Sequence, residues 1–173
     1  MLVKPVHKPG WPVPLSTITI RNAAPGDIRP VCRLLQAPAE AGEILPRTED
    51  DIRQLQNERH LLVAAVDNAV AGTVSLRDYG DGLYEIRSLV VADAYRGQRV
   101  GSRMVEAAVQ LAREKGGHSV FALTYHPRLF ERQGFERVSK TRFPQKVWQD
   151  CSRCPKREHC DEIALVWEAP PRK

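Results

Sequence analysis

The stretch "LVVADAYRGQRVGSRMVEAA", residues 89–108, decides how this chain is read. It opens on apolar residues that suit a strand and passes through a turn. From Gly101 onward Met104, Val105, Ala108, Leu111 and Ala112 fall on one helical stripe that ends at Gly116 and Gly117. A strand, a glycine-containing loop and a helix start leave several backbone N–H groups without intrahelical partners at the positive end of a helix dipole, an arrangement that binds phosphate. Gly97 and Gly101 let the backbone approach an anion, and Arg96 and Arg99 can reach one with their guanidinium groups. A turn with a solvated basic face accounts for the same residues, and composition does not choose between the two. The loop is neither G-x-x-x-x-G-K-[ST] nor G-x-G-x-x-G, which speaks against P-loop hydrolysis and dinucleotide binding.

Upstream, "HLLVAAVD", "AVAGTVSLRD" and "LYEIRSLVVA" are apolar or alternating runs divided by Asn68 and by "YGDG", the pattern of an antiparallel meander. Before them come a strand in "TITIRNA" and a turn with a short helix in "PGDIRPVCRLLQ", whose Val31, Leu34 and Leu35 share a face and whose Cys32 reads as a buried, unreactive thiol. "APAEAGEILPR" reads as a loop, and Thr48 with Asp51 forms a capping box that opens a second helix. Downstream lie a strand in "SVFALT", a helix in "PRLFERQ", and strands in "GFERVS" and "IALVWEA". There is no internal repeat. Residues 17–173 are expected to form one domain after a Pro-rich tail at 1–16.

A length of 173 residues suits a single domain that folds without staples. Lys and Arg outnumber Asp and Glu by 26 to 21, and the pI near 9.2 favours anionic partners. The basic residues are dispersed without an aromatic-basic platform, so nucleic acid is not among them. No apolar run is long enough to span a membrane, and the Pro-rich start does not read as a signal peptide. The expected location is the cytoplasm, where uneven cysteines are thiols or ligands more often than disulfides. A homodimer fits the sequence as well as a monomer.

The element order, with "LVVADAYRGQRVGSRMVEAA" in the middle and "LFERQGF" after it, resembles the GNAT superfamily of acetyl-CoA-dependent N-acetyltransferases over residues 18–168. The resemblance implies an α+β (α/β) GNAT fold: a central mixed, mostly antiparallel twisted sheet of about seven strands, flanked by about four helices. It implies acetyl-CoA as co-substrate. Leu89 and Val91 would offer backbone groups to pantetheine, and Arg96, Gly97, Gln98, Arg99, Val100, Gly101 and Ser102 would hold the diphosphate. The family pattern [RQ]-x-x-G-x-[GA] has its first glycine where this chain carries Arg99, so a residue with a Cβ must take that backbone conformation.

Acetyl transfer to an amine needs a neutral amine, a donor to the developing oxyanion and relief for the departing thiolate. Glu85, on the strand leading into the acetyl site, is the candidate base; a surface ion pair is the plainer role for a strand-end glutamate. Backbone N–H groups at Leu89 to Val91 would serve the oxyanion, as the resemblance implies. GNAT enzymes often carry a tyrosine acid where this chain has Phe130. Tyr125 is the nearest substitute, with a packed aromatic as the alternative.

A narrower resemblance concerns the acceptor. "EIRSLVV", "VFALTYHPRLFERQGF" and "PQKVWQDCSRCPKREHCDEIAL" together look like the short bacterial N-acetylglutamate synthases, which implies L-glutamate as substrate and the first step of arginine biosynthesis. Larger members carry an arginine-binding kinase-like domain for which this chain leaves no room. A dicarboxylate calls for cations. Arg47 matches a position where the family sets arginine against a substrate carboxylate, Arg87 shares a strand face with Glu85, and Lys146 could supply a further contact; each singly reads equally well as a surface charge. Asp161 and Glu162 would repel glutamate if they faced it. Other readings are acetylation of another amine, a peptide N-terminus or small molecule, or a non-catalytic module binding CoA or metal. Cys151 and Cys154, at C-x2-C spacing, with Cys160 suggest a structural zinc in an insertion at 144–161; packed thiols or a redox pair fit the same spacing.

Overall fold

Two reversals fold the middle of the chain back on itself. Asp67 and Asn68, both at positive φ (46° and 70°), join β2 (Leu61–Val66) to β3 (Ala69–Asp78), and Gly80, Asp81 and Gly82 (81°, 50° and 73°) join β3 to β4 (Leu83–Val91). Paired left-handed residues match the right-handed twist of hairpin strands, which is why Asn, Asp and Gly occupy these positions. The computed structural model describes residues 17–144 and 151–171. β1 (Thr19–Asn22), β5 (Ser119–Thr124), β6 (Glu136–Val138) and β7 (Ile163–Glu168) complete a seven-stranded sheet in the order β1-β2-β3-β4-β5-β7-β6. The one parallel pair, β4 with β5, is bridged by the crossover helix α3 (Val100–Glu114), because parallel strands cannot be joined by a tight turn. The mixed, mostly antiparallel sheet with four α-helices among the described residues is the expected fold.

β4 carries a bulge. Val90 faces Thr73 while Arg87 faces Ser75, so three steps of β4 span two of β3, and Ser88 takes the left-handed conformation (φ 50°). A bulged strand bends. β4 and β5 pair only where Leu83, Tyr84 and Glu85 meet Ser119, Val120 and Phe121; beyond Glu85 they diverge into a fork.

Alternation assigns the two faces. On one, Val74, Leu76, Tyr84, Ile86, Val120 and Ala122 pack beneath the stripe of α3 and beneath α4 (Pro127–Glu131). Each Met, Val or Leu fully buried in that layer contributes about 1.5–3 kcal/mol. On the other face Leu61, Val63 and Val90 pack under α1 (Ile28–Glu40) and α2 (Glu49–Asn57), while Phe121, Phe143, Ala164 and Val166 form a separate apolar cluster. Between these two clusters runs a polar strip from β3 and β4, formed by the register pairs Ser75 with Arg87 and Arg77 with Glu85.

The Thr48 capping box is present: Asp51 N donates to Thr48 Oγ1 at 3.1 Å and Thr48 N to an Asp51 carboxylate oxygen at 2.7 Å. Burial pushes up the pKa of the half-buried Cys32 thiol, in line with an inert cysteine. One element differs from expectation. α1 does not stop before Ala37 but runs through Pro38 to Glu40. The stop is Gly42 (φ 71°), with Gly42 N bonded to Ala39 O and Glu43 N to Pro38 O, a Schellman closure that needs the left-handed glycine. A proline in the last turn removes one helical hydrogen bond without preventing that closure.

Candidate active site

The loop after β4 is built from successive conformations that the sequence makes unusual. A 3-10 turn at Asp93–Tyr95 leads to an extended Arg96, then Gly97 at φ 75°, and then Arg99, in the left-handed region at φ 61° and ψ 14°, as the cap of α3. Arg99, a residue with a Cβ, thus holds a left-handed conformation. Its carbonyl accepts the first helical bond, from Arg103 N at 3.1 Å, and no side chain caps the helix. The N–H groups of Val100, Gly101 and Ser102 precede that bond and have no partner within the helix, so they stand at its positive end. Gly101 leaves this first turn bare, although an added Cβ would only touch Leu129 at 3.5 Å. Gln98 Nε2 donates to Ala94 O at 3.3 Å, which ties the loop across itself.

Leu89 and Val91 lie on the part of β4 that borders the fork. Leu89 lies within the bulge and has no register partner on β3. Val91 pairs with Gly72, and its carbonyl accepts a hydrogen bond from Arg96 Nε at 3.2 Å. Arg96 also lies 3.2 Å from an Asp93 carboxylate oxygen, so its guanidinium is folded back on the loop.

Glu85 forms the last pair before the fork opens and is only 2% exposed, which rules out a surface ion pair. Its Oε2 accepts a hydrogen bond from Tyr79 Oη at 2.8 Å and lies 3.8 Å from Arg87 Nε. Alongside, a cavity of about 470 Å³ opens between α2 and the β3–β4 strip, lined by Arg47, Arg77 and Arg87. Its acids are engaged locally. Asp51 serves the cap, and the bond from Thr48 N holds its pKa below the usual carboxylate value. Asp78 accepts from Gly80 N at 2.8 Å and from Tyr84 Oη at 3.2 Å, and Glu58 lies 3.4 Å from His60, whose pKa burial lowers. Asp161 and Glu162 do not line this cavity.

Of the sequence-predicted residues, Arg47 and Arg87 thus share one cavity and Glu85 touches Arg87, while Lys146 lies outside the described residues. Tyr125 stands apart, just past β5: its Oη accepts a hydrogen bond from Lys156 Nζ at 3.2 Å, and the same ammonium reaches Gly42 O at 3.1 Å. Burial pushes the Tyr125 phenol pKa up, with Glu162 adding to the effect and the Lys156 bond opposing it. Phe130 is buried edge-on to Phe135, so that position serves the core.

The zinc expectation is corrected. Among the described residues no three His, Cys, Asp or Glu side chains converge on a point that could hold a metal. Cys151 begins one 3-10 turn, His159 ends another, and Cys160 Sγ lies 3.8 Å from an oxygen of Glu162 instead. The C-x2-C spacing is present without the convergence a closed site requires. Sequence reasoning passed over Tyr79 and Arg77. Arg77 was findable, since it is two residues from Ser75 on an alternating strand; Tyr79 was absorbed into the "YGDG" turn. Among the described residues no helix is long and apolar enough to cross a membrane.

Residues 29–135 match the acetyltransferase (GNAT) family. An uncharacterised N-acetyltransferase of Chlorobaculum tepidum is 36% identical over 154 residues, which cover 89% of this chain and 98% of that protein. An amino-acid acetyltransferase of Mycobacterium tuberculosis is 31% identical over 84 residues, 49% of this chain and 48% of the other. Among solved structures, the N-acetylglutamate synthase of Neisseria gonorrhoeae, in complex with coenzyme A and N-acetyl-glutamate, superposes with a TM-score of 0.78 at 22% identity over 89% of this chain. The superposed part is 35% of the gonococcal protein, so this chain spans about a third of its length.

Proposed function

The chain belongs to the GNAT family of acetyltransferases, and from that premise we propose that it is a cytoplasmic enzyme that transfers acetyl from acetyl-CoA to the α-amine of L-glutamate, the opening reaction of arginine biosynthesis. The observation that carries the acceptor is the cavity lined by Arg47, Arg77 and Arg87, which opens on the strip that holds Glu85. Guanidinium forks suit carboxylates, and a dicarboxylate uses more than one. An acceptor with a cationic side chain, such as a polyamine, is disfavoured by the same three groups.

In this reading the N–H groups of Val100, Gly101 and Ser102, with Arg96 and Arg99, hold the diphosphate, and the backbone at Leu89 and Val91 flanks the pantetheine arm. Glu85, at the vertex of the fork, takes a proton from the glutamate ammonium directly or through one water. The amine then attacks the thioester carbonyl carbon. Backbone N–H groups of the bulged strand receive the oxyanion, collapse breaks the C–S bond, and the second proton of the attacking nitrogen passes to the departing thiolate, with Tyr125 as the candidate relay.

The deciding experiment measures thiol release from acetyl-CoA with a panel of amino acids and other amines. Turnover with glutamate is expected. Turnover confined to another amine would reject the acceptor, and no turnover with any amine would favour a non-catalytic module. Arg47→Ala is expected to raise the KM for glutamate by roughly tenfold or more, the worth of one charged hydrogen bond, while that for acetyl-CoA stays within about twofold. Equal changes in both would contradict its role.

A further inference from the structure

Glu85 sits among groups placed as if to control it. Tyr79, in the β3–β4 turn, donates its hydroxyl to Glu85 Oε2 at 2.8 Å. Its ring leans on Phe121 at 5.6 Å, Phe121 is stacked on Phe143 at 3.9 Å, and the Arg77 guanidinium lies 5.3 Å from the Tyr79 ring centre. Phe121 and Phe143 are fully buried, so the ring rests on a wall that does not move. A tyrosine has only two side-chain torsions, and with its ring braced the hydroxyl has one place to be.

We propose that Tyr79 is a positioning residue for the acetyl transfer, fixing the orientation of the Glu85 carboxylate at the vertex of the β4–β5 fork and keeping it ionised. The proposal rests on the reading of Glu85 as the base. A carboxyl this deep loses its hydration, which favours the neutral acid; a base must resist that tendency. Among the described residues, groups near Glu85 that favour the anion are Tyr79 by its hydrogen bond, Arg87 with Nε at 3.8 Å, and Arg77, the cross-strand partner of Glu85 on β3. Among the described residues, the side chains that face Glu85 from β5 and the segment after β6, Phe121 and Phe143, carry no charge. The Arg87 contact is beyond hydrogen-bond length, so it supplies charge without direction, and the hydroxyl supplies direction.

The test uses Tyr79→Phe, which keeps the braced ring and deletes only the donor, alongside Glu85→Gln. Removing a donor to the charged form raises the carboxyl pKa. The lower-pH limb of kcat, where Glu85 becomes protonated, is expected to move upward by about one pH unit in Tyr79→Phe, with the KM for acetyl-CoA unchanged. Glu85→Gln is expected to remove that limb along with most of the rate. A limb that stays put in Tyr79→Phe, while Glu85→Gln loses it, overturns the role of Tyr79 alone. A Glu85→Gln enzyme with wild-type rate and profile overturns the reading of Glu85 as base, and this proposal with it. If Tyr79→Phe does not fold, carbon-13 titration of Glu85 in the wild-type protein decides: ionised at pH 7 is the expected result, and a protonated carboxyl there refutes the proposal.

Discussion

Two left-handed residues flank Gln98 in the anion loop, one a glycine and one an arginine, and reciprocal substitutions separate backbone strain from ligand binding. Arg99 is exposed at φ 61° and ψ 14°, so little packing offsets its conformation. Gly97 has φ 75°, and an added Cβ would meet no atom within 4 Å, so only the backbone opposes a side chain there. A Cβ in this region costs about 1–2 kcal/mol, and the extra freedom of glycine in the unfolded chain offsets about 0.4–1 of that. Arg99→Gly should therefore stabilise the protein by about 0.5–1 kcal/mol and Gly97→Ala should destabilise it by a similar amount, or about 1–4 °C each in Tm. Urea denaturation followed by tryptophan fluorescence reads both. Calorimetric titration with coenzyme A supplies the second axis: with Arg99 holding the diphosphate as proposed, Arg99→Gly should weaken binding roughly tenfold despite the added stability. The reasoning is refuted if both substitutions change stability in the same direction, or if Arg99→Gly binds coenzyme A as tightly as the wild type.

Two further outcomes follow from contacts away from the cavity. Asp27, with its side chain 8% exposed, accepts from Arg21 Nη1 at 2.6 Å and from Ala24 N at 2.7 Å, and chiefly the Arg21 bond holds its pKa below the usual value. A depressed folded pKa contributes stability that is present above about pH 4 and lost as pH falls through the folded value. Asp27→Asn should cost about 1–3 kcal/mol at pH 7 and lose that difference in acid; an unchanged acid-unfolding curve would contradict it. Lys156→Met removes the ammonium that links the Cys-rich segment to Gly42 and Tyr125, so trypsin should cut at Arg153 and Arg157 sooner than in the wild type. Equal cutting rates would show that these bonds do not hold the segment.

Much of this architecture was legible because its causes are local. β3 begins and ends with its alternating run and β5 with its apolar one, and the α3 stripe is buried as spaced. Arg47 and Arg87 were also readable, one from a motif position and one from strand periodicity, although only the folded chain brings them to one cavity. What escaped depends on partners distant in sequence. No glycine marks the bulge at Ser88, since register is a property of two strands and not of one. Tyr79 is an ordinary turn residue until Phe121 arrives beside it. The segment after Gln36 read as a loop although the helix closes only at Gly42, and cysteine spacing cannot say whether three thiols converge.

The fork between β4 and β5 has a consequence beyond the reaction. Among the described residues only the short seam from Leu83 to Glu85 joins the ladder of β1 to β4 with that of β5, β7 and β6; beyond it the two are linked by side-chain packing, through α3 and through Tyr79 on Phe121, and by Lys156 to Gly42. Each block is laddered within itself, so the seam is the line along which the sheet is least cooperative. A guest that lies in the fork and bonds to both sides acts as a mortar joint, coupling the stability of two half-sheets that the polypeptide leaves only loosely tied.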